Sequence, residues 1–422
     1  MSYPVWHPFT EMSHFNQNPL ILTKGSGVYV YDDKNNCYLD VNAGLWSVSL
    51  GYGRTDILEE MMSQARAISC VPLFDRAHQP AIDYAHKLLA KLNDDFSMMF
   101  YTSGGSEAIE TAMKISRTYH ILTGNPQKSR IGHLKNSYHG VSLGALSVMG
   151  IDAIRTGIGP LPPDTFQIPL PSKTIEIDWT TIFKDIQKHI TEQQLDTIAA
   201  IILEPIIAAG GIIPIPNELI HQLKQFCAAH NILLILDEIV TGFGRTGALF
   251  AYQETGIVPD MITVGKGITS GYAPLGGVLV TEAITAPFKV PGVVFNHGFT
   301  QGGHVTACAA ASKTLDILEQ EEIFQHVKNN EGYFLNTLQT LMSEFDFIEQ
   351  VRGRGYLYGI KIADAHDATN FAPLARKHGI LFRRPAEDNV IPVGPPLIAN
   401  REVIDEITQR LRKIFSEYQA RS

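Results

Sequence analysis

The feature that most constrains this 422-residue chain is a series of short, predominantly apolar runs set between helical patterns. They occupy residues 98–101, 198–203, 232–236, 261–264 and 277–280. None alternates polar with apolar side chains, so each predicted strand buries both faces. Strands of that kind, separated by helices, build a mostly parallel sheet covered on both sides. After about Ala311 the texture changes. A long amphipathic stretch carries Ile323, Phe324, Val327, Phe334, Leu335, Leu338 and Met342, and a closing helix carries Val403, Ile404, Ile407, Leu411, Ile414 and Phe415. Their three-to-four spacing marks core-facing stripes. The first 55 residues are irregular and aromatic-rich, with a hairpin predicted over 27–41 that turns at Lys34-Asn35-Asn36. The expected architecture is α/β: a large domain over 56–310, and a smaller α+β domain formed by 311–422 with the N-terminal segment 1–55.

Composition narrows the class of function. Apolar residues at 45% and charged residues at 18% are enough for a substantial core. The net charge is −9 and no run of Lys or Arg stands out, which disfavours nucleic acid and anionic membranes as partners. Residues 1–17 have no apolar core of signal-peptide type, and the greasiest stretch, 198–215, is broken by Glu204 and by Gly and Pro. Cys37, Cys70, Cys227 and Cys308 lie far apart without a CxxC pair, so neither a disulfide framework nor a cysteine metal site is expected. These features describe a soluble, cytoplasmic, enzyme-sized chain.

Chemistry concentrates where predicted strands end. Asp237 and Glu238 follow an apolar strand, at the carboxyl edge where open parallel sheets bind ligands. An acid there serves as metal ligand, general base or partner of a cationic ring nitrogen, unless it is a solvated loop acid or helix cap. Lys266 follows the next strand between Gly265 and Gly267. Glycines let a flat ligand approach the backbone, and a partly desolvated lysine becomes a nucleophilic amine able to form a Schiff base. Asp237 and Lys266 would face one crevice from two strand ends. Thr102-Ser103-Gly104-Gly105-Ser106 joins a strand to a helix, a turn whose free N–H groups, hydroxyl and helix dipole favour phosphate. Tyr138 in Tyr138-His139-Gly140 offers a ring for stacking. Gly242-Phe243-Gly244-Arg245-Thr246-Gly247 matches the dinucleotide fingerprint, but it does not begin at a strand end, and two acids beside it would repel a pyrophosphate.

Taken together these segments resemble the class III aminotransferases, pyridoxal-phosphate enzymes of fold type I, from about Trp6 to Phe415. The block from Leu236 to Val280 is similar to that family's lysine signature throughout, and TSGGSEAIETAMKISR, YHG, ILEPIIAAGGIIPIP, HGFTQGGHVTACAAA and PPLIANREVIDEI match in order. The resemblance implies pyridoxal 5'-phosphate as cofactor, held by Lys266, with Asp237 on the pyridine nitrogen. Gly105 and Ser106 would take the phosphate, Tyr138 and Val240 would pack on the ring, and Glu204 would lie near a cofactor oxygen. Thr300 would complete the phosphate site of a second subunit, so a homodimer is implied. Trp46 resembles the tryptophan lining the substrate pocket of ω-amino acid and amine:pyruvate enzymes. Ala209 stands where 4-aminobutyrate and ornithine enzymes have an acid. Arg383 or Arg384 would grip a substrate carboxylate, Arg383 being preferred, and Phe15 and Phe74 would line the pocket. Ser103, Gly104, Gln301, Gly302 and Val305 depart from the family pattern. The implied reaction is transfer of an amino group from an ω-amino acid or primary amine to pyruvate; a 7,8-diaminononanoate-forming aminotransferase and a PLP aminomutase or decarboxylase are the alternatives.

Overall fold

A computed structural model describes residues 3–170, 178–383 and 389–421 of the chain. Its first sheet grows from the predicted hairpin, with strands β1 (Leu22–Ser26), β2 (Tyr29–Asp32) and β3 (Cys37–Asp40) pairing antiparallel. The turn forms because Asn35 takes a left-handed conformation (φ 62°) and the Asp32 carboxylate accepts the N–H groups of Lys34 and Asn36 at 2.9 and 2.8 Å.

The large sheet has seven strands. In chain order they are β4 (Met98–Thr102), β5 (Arg130–Leu134), β6 (Thr165–Ile168) and β7 (Ile198–Leu203), then, after a small ribbon of β8 (Ile206–Ile207) and β9 (Ile213–Pro214), β10 (Leu233–Asp237), β11 (Met261–Val264) and β12 (Gly276–Val280). The spatial order is β4-β12-β11-β10-β7-β5-β6, and only β12 runs against the rest. As the unbroken apolar runs require, β7, β10, β11 and β12 are buried along their whole length. β4 departs from that expectation. It is an edge strand, and Met98 at its start is 49% exposed. β5 and β6 escaped the sequence reading because Arg130, His133 and Gln167 interrupt their apolar pattern. The Arg130 guanidinium leaves the sheet to donate to the Gln193 carbonyl at 2.6 Å.

The C-terminal third adds β13 (Ile348–Arg354), β14 (Leu357–Ile362), β15 (Ile380–Leu381) and β16 (Val390–Val393). β13, β14 and β16 form an antiparallel sheet, while β15 pairs in parallel with β3, so both chain ends share one sheet. The helices Ile323–Glu344 and Arg401–Gln419 bury Phe334, Leu338, Ile407, Leu411 and Phe415, each side chain contributing about 1.5–3 kcal/mol of transfer free energy. Phe324, Leu335 and Met342 of the predicted stripe are only half-buried. Among the described residues no helix is long and apolar enough to cross a membrane. The consequence for function lies in the large sheet. Its parallel strands deliver Glu204, Asp237 and the 265–266 turn to the same carboxyl edge.

Candidate active site

Asp237 ends β10 and is buried. Its Oδ1 accepts from the Ile239 N–H at 3.0 Å and from the Thr263 hydroxyl at 3.1 Å, and its Oδ2 accepts from His139 Nδ1 at 2.7 Å. A carboxylate only accepts, so Nδ1 carries the histidine proton. His139 Nε2 is then left buried and without a partner among the described residues. The sequence pointed to the YHG triplet for its tyrosine and missed the histidine, because its partner lies 98 positions further on.

Lys266 follows β11 in a left-handed conformation (φ 43°), a backbone strain that persists only where the surroundings hold it. Burial lowers its ammonium pKa to about 8; Asp237 and Glu204 oppose that shift, and Arg383 and Arg245 add to it. The amine is thus easily deprotonated while still facing acids. Glu204, just past β7, is buried and accepts the N–H groups of Tyr138 and Ala208 at 2.8 and 2.9 Å. Burial pushes its carboxyl up to about 7.

The helix Gly105–Leu122 begins at the same edge, and its first N–H groups have no intrahelical acceptor. Gly104 provides no capping side chain. Ser106 Oγ accepts from the Val141 N–H at 3.2 Å. Gly140 must be glycine here: its φ is 111°, and a Cβ would come within 2.3 Å of Ser106 Oγ.

One cavity of about 170 Å³ is lined by Gly105, Ser106, Tyr138, Glu204, Asp237, Val240 and Lys266, together with His139, Gly140 and Ile239. The Trp46 ring lies 5.7 Å from Lys266 Nζ. Arg383 sits 5.8 Å over the ring of Phe9, and its charge reaches both Lys266 and Tyr138. Arg384 lies outside the described residues. Phe15 packs on His7 and Tyr3 and does not line this cavity. Phe9, five residues after Pro4 in the same segment, was not singled out in the sequence, since no periodicity distinguishes it from Phe15. Thr300 is exposed, in the loop that leads to a larger cavity of about 730 Å³ lined by Phe74, Phe100 and Phe299. That cavity shares no lining residue with the one around Lys266.

An amine, a buried acid and a helix start with free N–H groups around one small cleft suit a flat, phosphorylated, cationic guest. Comparison with known proteins agrees. The family model "Aminotransferase class-III" matches residues 12–415. A putrescine–pyruvate aminotransferase of Pseudomonas aeruginosa is 31% identical, over 97% of this chain and 93% of its own. The chain belongs to the class III aminotransferases. An (S)-enantioselective omega-transaminase from Thermomicrobium roseum superposes with a TM-score of 0.93 at 34% identity, covering 97% of this chain and 96% of that one. The PLP-bound amine transaminase from an uncultivated Pseudomonas species gives 0.94 at 31% identity, covering 99% of each chain.

As an aminotransferase of this class the protein uses pyridoxal 5'-phosphate. Its residues suit that group. Asp237 has its negative charge fixed by three donors at the cavity wall, Lys266 supplies the amine, and the 105–106 turn supplies N–H groups for a phosphate.

Proposed function

We propose that this aminotransferase takes amino groups from ω-amino acids or primary amines and passes them to pyruvate in a two-half cycle. Lys266 would hold the cofactor through its amine and, when that amine is free, would carry the proton at the substrate's Cα, help worth about 10²–10⁴-fold. The bound cofactor supplies an electron sink for the bond broken at that carbon. Asp237 keeps the ring nitrogen protonated, and His139 orients Asp237 through the 2.7 Å bond. Gly105 and Ser106 take the phosphate, Tyr138 and Val240 confine the ring, and Glu204 stands near its oxygen.

The observation that carries the substrate class is the outer wall. Trp46 lies 5.7 Å from Lys266 Nζ, and Ala209, which packs against the same small cluster of Leu146, Met149 and Ile151 as Tyr138, brings no carboxylate to engage an arginine. Arg383 instead rests on Phe9, where it is available to a substrate carboxylate as a bidentate partner. We further propose a homodimer in which Thr300 reaches the phosphate of a neighbouring subunit's site. The exposure of Phe74 (66%), Val294 (71%) and Leu143 (57%) supports such a contact. A cytoplasmic location is part of the proposal, supported by the free, exposed thiols of Cys37 and Cys70.

A panel of amine donors tested with pyruvate and with 2-oxoglutarate, following cofactor absorbance, examines this reading. Each half-reaction should yield stoichiometric carbonyl product, with pyruvate the better acceptor. Turnover without net oxo acid would mean an aminomutase, release of carbon dioxide a decarboxylase, and preference for 2-oxoglutarate a different branch of the class.

A further inference from the structure

The glycine-rich turn 242–247, similar to a dinucleotide fingerprint in sequence, serves as a seat for the C-terminal segment. Gly244 (φ 96°) and Gly247 (φ 88°) face that segment, where added Cβ atoms would come within 2.9 Å of Leu397 and 2.8 Å of Lys328. Glu238 anchors the far side of the turn by accepting from Thr241, Ala251 and Tyr252. Between the glycines stands Arg245, only 1% exposed. Its Nη1 donates to the carbonyls of Tyr356 at 3.1 Å and Pro395 at 2.5 Å, and its own carbonyl accepts the Tyr356 N–H at 2.9 Å. The guanidinium thus ties the turn to two carbonyls of another sheet's connections through Nη1, while its buried Nη2 has no partner among the described residues.

What the tie holds is the strap 394–397. The Gly394 N–H donates to Val41 at 2.7 Å and the Leu397 N–H to Ser49 at 2.8 Å, so the strap brackets the turn that carries Trp46. At Gly394 a Cβ would stand 2.8 Å from the Trp46 ring. That turn needs holding. Ala43, Gly44, Leu45 and Trp46 are all left-handed, with φ of 45°, 56°, 65° and 62°. Three of these are not glycine, and such conformations survive only when their surroundings over-determine them.

We propose that Arg245 is a positioning residue for substrate selection: by holding the Pro395 carbonyl it fixes the strap against which Trp46 stands, and so sets the width of the amine pocket. This rests on the reading that Trp46 lines the substrate pocket.

The test compares the holoenzyme with Arg245→Met, Gly394→Ala and Trp46→Leu, using one small aliphatic and one bulky aromatic amine. Trp46 emission is also recorded in the cofactor-free chain carrying Trp6→Phe and Trp179→Phe. Arg245→Met and Gly394→Ala should each change the ratio of kcat/KM for the two donors by about tenfold, mainly through KM, and each should shift Trp46 emission. An Arg245→Met enzyme that leaves both the ratio and the emission alone, while Trp46→Leu alters the ratio, overturns the proposal and spares the pocket reading. If Trp46→Leu leaves the ratio unchanged, the pocket reading fails, and the emission of Arg245→Met alone decides whether Arg245 positions the tryptophan. Should Arg245→Met lose its cofactor absorbance, Arg245→Lys, which keeps the charge but not the fork, is read by the same criteria.

Discussion

The inner floor of the site and its outer wall are built in opposite ways. The floor consists of Glu204, Asp237 and Lys266 at successive strand ends, each placed by the register of a buried parallel sheet. Its two carboxylates are buried and hydrogen-bonded before any ligand arrives. The wall consists of Phe9, Trp46 and Arg383, from segments outside that sheet: Arg383 lies over the Phe9 ring, and the strap at 394–397 brackets the turn that carries Trp46. The proposed function assigns the two regions different work: the rigid sheet edge would fix the chemistry, and the tied but separable segments would fix what is admitted to it.

If that division is right, damage to the floor should abolish the reaction and damage to the wall should redirect it. The largest effect belongs to Lys266→Ala, expected to remove steady turnover by at least about 10²–10⁴-fold with every donor, measured as carbonyl product per enzyme. Asp237→Asn should retain bound cofactor yet lose on the order of 10²-fold in kcat for all donors alike, because the charge that holds the ring proton is gone. On the wall, Arg383→Ala should raise KM about 10–100-fold for donors with a carboxylate and leave plain amines nearly untouched, the size expected for one charge-assisted contact. An equal loss for both donor types would erase the distinction between floor and wall.

The smallest effect sharpens the floor alone. Under the proposed function only the neutral amine of Lys266 would capture the cofactor, and its pKa is lowered to about 8. The free-amine fraction therefore rises with pH, and the capture rate of the cofactor-free chain should climb about tenfold from pH 7 to 9 before levelling. A rate that stays flat across that window would show that Lys266 is not the titrating nucleophile.

Much of the floor was legible in the sequence because its signals are local. An apolar run followed by Asp237, another followed by Gly265-Lys266-Gly267, and a Gly-Gly-Ser turn before a helix each announce a strand end with chemistry on it. His139 was not legible as Asp237's partner, since that bond joins positions remote in the chain. Two sheet strands, Arg130–Leu134 and Thr165–Ile168, were hidden by polar residues such as Arg130 and Gln167, whose side chains donate to the carbonyls of Gln193 and Gly150 outside the sheet. The wall was harder still. Nothing periodic separates Phe9, which meets Arg383, from Phe15, which meets His7, and the role of Arg245 depends on carbonyls 111 and 150 positions away.

The central claim is that the Lys266 amine and the Asp237 carboxylate grip one planar cofactor. Borohydride reduction of the cofactor-loaded protein, which fixes the cofactor to the lysine that holds it, followed by peptide mass mapping, tests this most directly. The account predicts a single stoichiometric label on Lys266, lost when Asp237 is intact but Lys266 is replaced. A label on any other lysine, or none, would contradict it.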